Sequence, residues 1–237
     1  MYLKTQGLVL RVTEYRDSDA MLTVLTKEQG LMSFKARGVR SRRSQLKSAC
    51  QLLCFSEFTL LERQGYYPVS EAVCLEMFQP MRNDIELLAL CSYFAQAAEL
   101  LSQQDVNDGE VLSLTLNSIY ALCKLKRPQL LVKAAFELRM MVIAGFSPMV
   151  DGCAVCGSET PDRFDVAGGM AVCAGCSAPG PAAQPGKLGC DAAHHDLRGK
   201  KALFFQPPAR GAQGAFGHCR DLFSHAARAR LLHAGLL

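Results

Sequence analysis

No histidine occurs before His194; all five in the chain (His194, His195, His218, His225 and His233) lie near its end. Most of the chain therefore lacks the commonest general acid–base group. Also missing are a P-loop, a GxSxG elbow, an HExxH helix and a dinucleotide fingerprint. No enzyme is expected; carboxylate catalysis stays open, but nothing points to it. No apolar run reaches the roughly 18 residues of a membrane span. The opening residues, Met1 to Gln6, lack an apolar signal core. Together these imply a cytoplasmic protein. Acidic residues are absent between Glu28 and Glu57.

What is present is an ordinary globular composition, 49% hydrophobic and 20% charged. The net charge of +4 hides an uneven distribution. Residues 1–65 hold 11 Lys/Arg against 6 Asp/Glu, residues 66–188 hold 8 against 13, and residues 189–237 hold 7 against 3. A basic front on an acidic middle suggests one anion-binding face.

The stretch 1–80 reads as strands. Apolar, β-branched runs occur at 7–12, 20–26, 31–36, 52–61 and 67–75, separated by turn signals. Five short strands at this spacing fit a small OB-type barrel. From about 81 to 150 the period changes. Leu87, Cys91, Phe94, Ala98 and Leu101 recur at helical spacing, with Asp84 as N-cap. Leu112 to Cys123 gives a second helix. Leu131 to Val142 gives a third, with Pro128 near its first turn and Gly145 near its end. The expected class is α+β: a barrel domain (1–80), a helical domain (81–150), a cysteine element (151–180) and an aberrant tail (181–237).

Eleven cysteines are many for a cytosolic chain, where disulfides are rare. Cys50, Cys54, Cys74, Cys91 and Cys123 sit in apolar surroundings and read as small core residues. Cys153, Cys156, Cys173 and Cys176 instead form two CxxC pairs, separated by the stretch 157–172. Two such turns close a tetrahedral thiolate shell, with a short hairpin between the knuckles and Gly157 and Gly175 in the tight turns. Four protein ligands leave no open position, so the metal, read as zinc, is structural. An iron–sulfur cluster takes the same ligands. A redox CxxC fits less well, because such motifs usually stand alone.

Lys35, Arg37, Arg40, Arg42, Arg43 and Lys47 crowd into the stretch 35–47, interspersed with Gly38, Ser41 and Ser44 and followed by Ser48. This reads as a mobile loop leaving the third strand and able to neutralise phosphates without reading sequence. Phe34, Tyr66 and Tyr67 are candidate stacking platforms beside it. The competing reading is a solvated basic loop.

These features resemble the RecO family. Thr5-Gln6-Gly7-Leu8-Val9-Leu10-Arg11, Tyr15-Arg16-Asp17-Ser18-Asp19 and Leu25 to Gly30 are similar to that family's opening. Lys35-Ala36-Arg37-Gly38-Val39-Arg40 resembles its AKGAR segment, with Arg37 where Lys is commoner. Leu52, Leu53 and Phe55, then Gly65-Tyr66-Tyr67, and finally Gly145-Phe146-Ser147-Pro148 before Cys153 and Cys156-Gly157, continue the likeness over roughly 1–188. The resemblance implies a DNA repair and recombination mediator of the RecF pathway, cytoplasmic and nucleoid-associated. It would bind single- and double-stranded DNA and anneal complementary strands. With RecR, and often RecF, it would load RecA onto DNA coated by single-strand-binding protein. The alternative is a zinc-ribbon adaptor with no repair role; salt-dependent DNA binding separates the two.

The stretch 189–237 departs from this pattern. It contains ten alanines and no Glu, Ile, Val, Thr, Asn, Met or Tyr, where the family closes with amphipathic helices. A reading-frame slip near 188–190 explains the change. Residues 190–205, back-translated with suitable codons and displaced by one base, resemble a RecO helix ending in a Lys-x-Phe-Ser-like element. The blander alternative is a divergent basic tail. On either view Cys190 and His194-His195 are not metal-ligand candidates.

Overall fold

The computed structural model describes residues 2–63, 65–165 and 168–176. Five strands come first: β1 (Tyr2–Tyr15), β2 (Asp19–Thr26), β3 (Gly30–Ala36), β4 (Phe55–Leu61) and β5 (Tyr67–Glu76). They close into a barrel in the order β1-β2-β3-β5-β4. Every pairing is antiparallel except β3 with β5, which meet in parallel at Phe34↔Tyr67 and Lys35↔Pro68. The long β1 serves two neighbours. Its first half pairs with β4, its second with β2, and a bulge at Val9/Arg11 bends it between them.

Period-2 alternation aims Val9, Ala20, Leu22, Val24, Met32, Phe34, Phe58 and Leu60 into the barrel, where they form one core. Phe34 and Phe58 meet edge to face at 5.2 Å. Leu8 and Leu25 are paired across β1 and β2, and both are fully buried although they face away from that core. Helices α2 (Ile85–Leu101) and α3 (Gly109–Cys123) pack on these two strands and cover them. Full burial of each leucine contributes about 1.5–3 kcal/mol.

A short α1 (Gln79–Arg82) precedes α2. Asp84 caps α2 as expected, its carboxylate accepting from Glu86 N–H and Leu87 N–H at 3.0 and 3.1 Å. The segment joining α2 to α3 docks on the β2–β3 turn. Leu31 N–H donates to Gln103 O, and Asp105 N–H to Gln29 O. Gly30 sits at this junction with φ +59°; a Cβ there would lie 2.1 Å from Gln103 O.

The barrel and α1–α3 form one compact unit through Arg127, and Pro128 begins a second. The second holds α4 (Gln129–Ile143), followed by β6 (Arg163–Asp165) and β7 (Met170–Val172), paired as a hairpin. Pro128 is the N-cap of α4, and Gly145 follows its end with φ +87°. The suspected frame-slipped tail lies outside the described residues.

Candidate nucleic-acid interface and cysteine centre

The basic segment leaves β3 at Ala36 and returns to the barrel at Phe55. The structure shows it pinned to the barrel rather than free. Val39, Ala49 and Cys50 are buried, and Val39 and Cys50 join the barrel core with Leu46 packed against it. Backbone bonds complete the attachment. Arg40 N–H donates to Ser18 O at 3.0 Å, and Leu53 N–H to Val9 O at 2.8 Å. Val39 and Leu46 lie between the charges and were hidden by them in the sequence, whereas Cys50 was already readable as core.

The pinning sorts the six cations. Arg37, Arg42, Arg43 and Lys47 are exposed and form no ion pair among the described residues. Arg40 pairs with Glu14 at 3.1 Å. Lys35 is largely covered, 4.0 Å from Asp19 and over the Tyr15 ring at 4.7 Å. A seventh cation escaped the sequence reading. Arg16, in the β1–β2 turn, is exposed, stacks on Tyr15 at 5.3 Å, and belongs to the turn on which the segment is latched. Only a β1–β2 hairpin places it there, so no run of charges announced it.

The aromatic candidates also separate. Phe34 is fully buried, so it is a core residue and no stacking platform. Tyr67 is partly buried against the same core, whereas Tyr66 is 39% exposed. Tyr15 is equally exposed and lies between Arg16 and Lys35.

The paired CxxC cysteines converge. The sulfurs of Cys153, Cys156, Cys173 and Cys176 all lie within 4.8 Å of one another. A tetrahedron with metal–sulfur bonds of about 2.3 Å has edges of about 3.8 Å. Cys156 and Cys173 already stand 3.7 Å apart. The β6–β7 hairpin supplies the second knuckle, and amide hydrogen bonds tie it to the first: Ala154 N–H donates to Ala171 O at 2.9 Å and Cys173 N–H to Cys153 Sγ at 3.3 Å. Gly157 takes a left-handed turn with φ +72°; Gly175 does not need one.

Backbone N–H groups, first that of Cys156, hold the Cys153 thiol down to about 6. Burial, followed by the neighbouring sulfurs, pushes Cys173 up to about 11. The Cys156 side chain and then burial raise Cys176 to about 12. Amides thus prepare one thiolate, while crowding opposes charging the others. A dication at the centre relieves that repulsion. The donor set and spacing therefore fit a metal ion.

The remaining described cysteines are mostly core. Cys50, Cys54, Cys91 and Cys123 are buried, and burial pushes the first two thiols up to about 12. Cys74 departs from expectation: it is partly exposed on β5, with its sulfur 3.1 Å from that of Cys54. Antiparallel pairing of β4 with β5, with Ser56 opposite Cys74, brings Cys74 next to the start of β4, which spacing along the chain does not reveal.

No helix among the described residues is long and apolar enough to cross a membrane. Two family models match in succession, Recombination protein O N terminal over residues 1–78 and Recombination protein O C terminal over 82–189. Similar proteins include a DNA repair protein RecO from Acetivibrio thermocellus, 34% identical over 69% of this chain and 65% of the relative. Another, from Desulforudis audaxviator, is 32% identical over 77% and 73% of the two chains. A third, from Moorella thermoacetica, is 32% identical over 73% and 66%. The chain thus spans just under two thirds of the first of these relatives. With a closed five-stranded barrel under the N-terminal match and the cysteine centre under the C-terminal one, the chain belongs to the RecO family.

Proposed function

We propose that this chain is a non-catalytic DNA repair and recombination mediator that grips phosphate backbones with the ridge formed by residues 37–47 and the β1–β2 turn. The carrying observation is the set of exposed cations without ion pairs among the described residues, Arg37, Arg42, Arg43 and Lys47, on a segment whose backbone is latched to the turn that carries Arg16. Such a surface neutralises phosphates and releases counterions. A pinned ridge loses less conformational entropy on binding than a free loop would. Tyr66 is an exposed ring on which an unpaired base can stack.

On this reading the protein binds single- and double-stranded DNA and anneals complementary strands without ATP. With RecR and RecF it helps RecA load onto strands covered by single-strand-binding protein, in the cytoplasm at the nucleoid. Strand annealing is the direct test. The purified chain should accelerate pairing of complementary oligonucleotides, and added salt should suppress the acceleration.

The cysteine centre is read as a zinc site held by Cys153, Cys156, Cys173 and Cys176. Bound there, zinc supplies a cross-link and no open coordination position. The chain's own contribution is the prearranged amides that stabilise the Cys153 thiolate.

A further inference from the structure

We propose that Asp19 is a positioning residue for polyanion binding: its carboxylate latches the basic ridge in the shape that presents the cations. The proposal rests on the DNA-binding reading above. Asp19 faces Lys35, shares the β1–β2 turn with Arg16 and holds the segment that carries Arg37, Arg40, Arg42, Arg43 and Lys47, and an acidic side chain in such basic company has the wrong sign for a phosphate site. Its geometry explains its presence.

Asp19 opens β2, is paired with Tyr15 across the hairpin, and has a side chain only 17% exposed. One carboxylate oxygen accepts from Gly38 N–H at 2.9 Å, and the other faces Lys35 Nζ at 4.0 Å. Gly38 is the left-handed residue (φ +62°) where the chain turns after Arg37. Two residues later Arg40 N–H donates to Ser18 O, and Ser41 N–H closes the turn on Gly38 O. The turn is therefore held at two adjacent points, Ser18 and Asp19, with Val39 buried between them. Arg37 lies before the latch and Arg42 and Arg43 after it, so the relative direction of the two sets depends on it. Glu14 differs: its side chain is 73% exposed and its contact is the ion pair with Arg40.

Charge and geometry predict opposite signs, which makes the proposal sharp. If Asp19 acts only through its charge, Asp19→Ala strengthens DNA binding. If it is the latch, the binding-competent ridge becomes a minor conformer. Affinity then falls in proportion to its population, by about fivefold if one fifth of the molecules keep the shape.

The experiment is equilibrium binding of a fluorescent single-stranded oligonucleotide, followed by anisotropy across a salt series, with the full chain. Asp19→Ala should bind about fivefold more weakly with an unchanged salt slope, because the same cations engage once the ridge is captured. Asp19→Glu keeps the charge and misplaces the acceptor, and should weaken binding similarly. Asp19→Asn keeps the acceptor and removes the charge; it should bind at least as tightly as wild type. Should Asp19→Ala fail to melt cooperatively, the Glu and Asn variants decide alone: Glu weak with Asn tight supports the latch. Ala or Glu binding as tightly as wild type overturns it. Suppose wild type binds, Ala replacement of Arg37, Arg42, Arg43 and Lys47 abolishes binding, and the Asp19 variants follow charge alone. The DNA interface then stands and the positioning role falls by itself. A wild-type chain that ignores the oligonucleotide brings both down together.

Discussion

Replacing Gly30 with alanine should unfasten the helices from the barrel. Two costs can be read from the structure. Holding a non-glycine residue at φ +59° costs about 1–2 kcal/mol for left-handed backbone. The new Cβ would also lie 2.1 Å from Gln103 O and 2.8 Å from Val106 O, both backbone atoms, so the segment joining α2 to α3 must retreat. Retreat breaks the Leu31 N–H to Gln103 O and Asp105 N–H to Gln29 O bonds, each worth about 1 kcal/mol net. The expected loss is about 3–4 kcal/mol, a large share of the roughly 5–15 kcal/mol that holds a domain folded. Urea unfolding followed by far-ultraviolet circular dichroism measures it. Gly38→Ala is the control: φ is the same kind, +62°, but nothing lies within 4 Å of the new Cβ. That variant should lose only the backbone part, about 1–2 kcal/mol. Equal losses at the two positions would refute the collision, and a Gly30→Ala loss below about 0.5 kcal/mol would refute the docking itself.

Three further outcomes are expected. Cys153→Ser should release zinc to a colorimetric chelator and loosen residues 149–176 toward protease while leaving oligonucleotide binding intact, since metal binding there is folding energy. Glu76 accepts from Phe78 N–H and pairs with Lys124 at 3.2 Å, the first being the larger influence, so its pKa is lowered from 4.5. A depressed carboxylate stabilises the fold above its unfolded pKa, and that contribution disappears as pH falls through the folded value. Glu76→Gln should therefore be less stable than wild type at neutral pH and converge with it in acid; parallel pH profiles would contradict this. Sequencing the coding DNA should reveal an intact helical frame displaced by one base beyond codon 188, and its absence ends the frame-slip reading.

The barrel was legible because its strands obey simple alternation. Ala20, Leu22 and Val24 face inward as their spacing requires. The helices were legible for the same reason, with Asp84 marking a start by its side-chain chemistry. The full length of β1 was not legible, because Tyr2 to Gln6 alternate only between exposed and half-covered positions and carry little apolar signal. Residues whose roles depend on register were also hidden: Arg16 across the hairpin, Cys74 against Cys54, Asp19 against Gly38. The charge run at 35–47 pointed to the right segment but could not divide its members. Only the fold shows that Lys35 and Arg40 are engaged while Arg37, Arg42, Arg43 and Lys47 form no ion pair among the described residues. Phe34 illustrates the reverse error, since an aromatic next to a basic run belongs to the core when its strand phase points inward.

The most direct test of the account is the salt dependence of single-stranded DNA binding by a chain with Arg37, Arg42, Arg43 and Lys47 all changed to Ala. These side chains are exposed, so stability should change by no more than about 0.5 kcal/mol per site. If each cation neutralises one phosphate, the slope of log affinity against log salt should fall by about 2.8, at roughly 0.7 per contact for a single strand. A variant with the wild-type slope and affinity would contradict the account, because the phosphate-gripping surface would then lie elsewhere on the molecule.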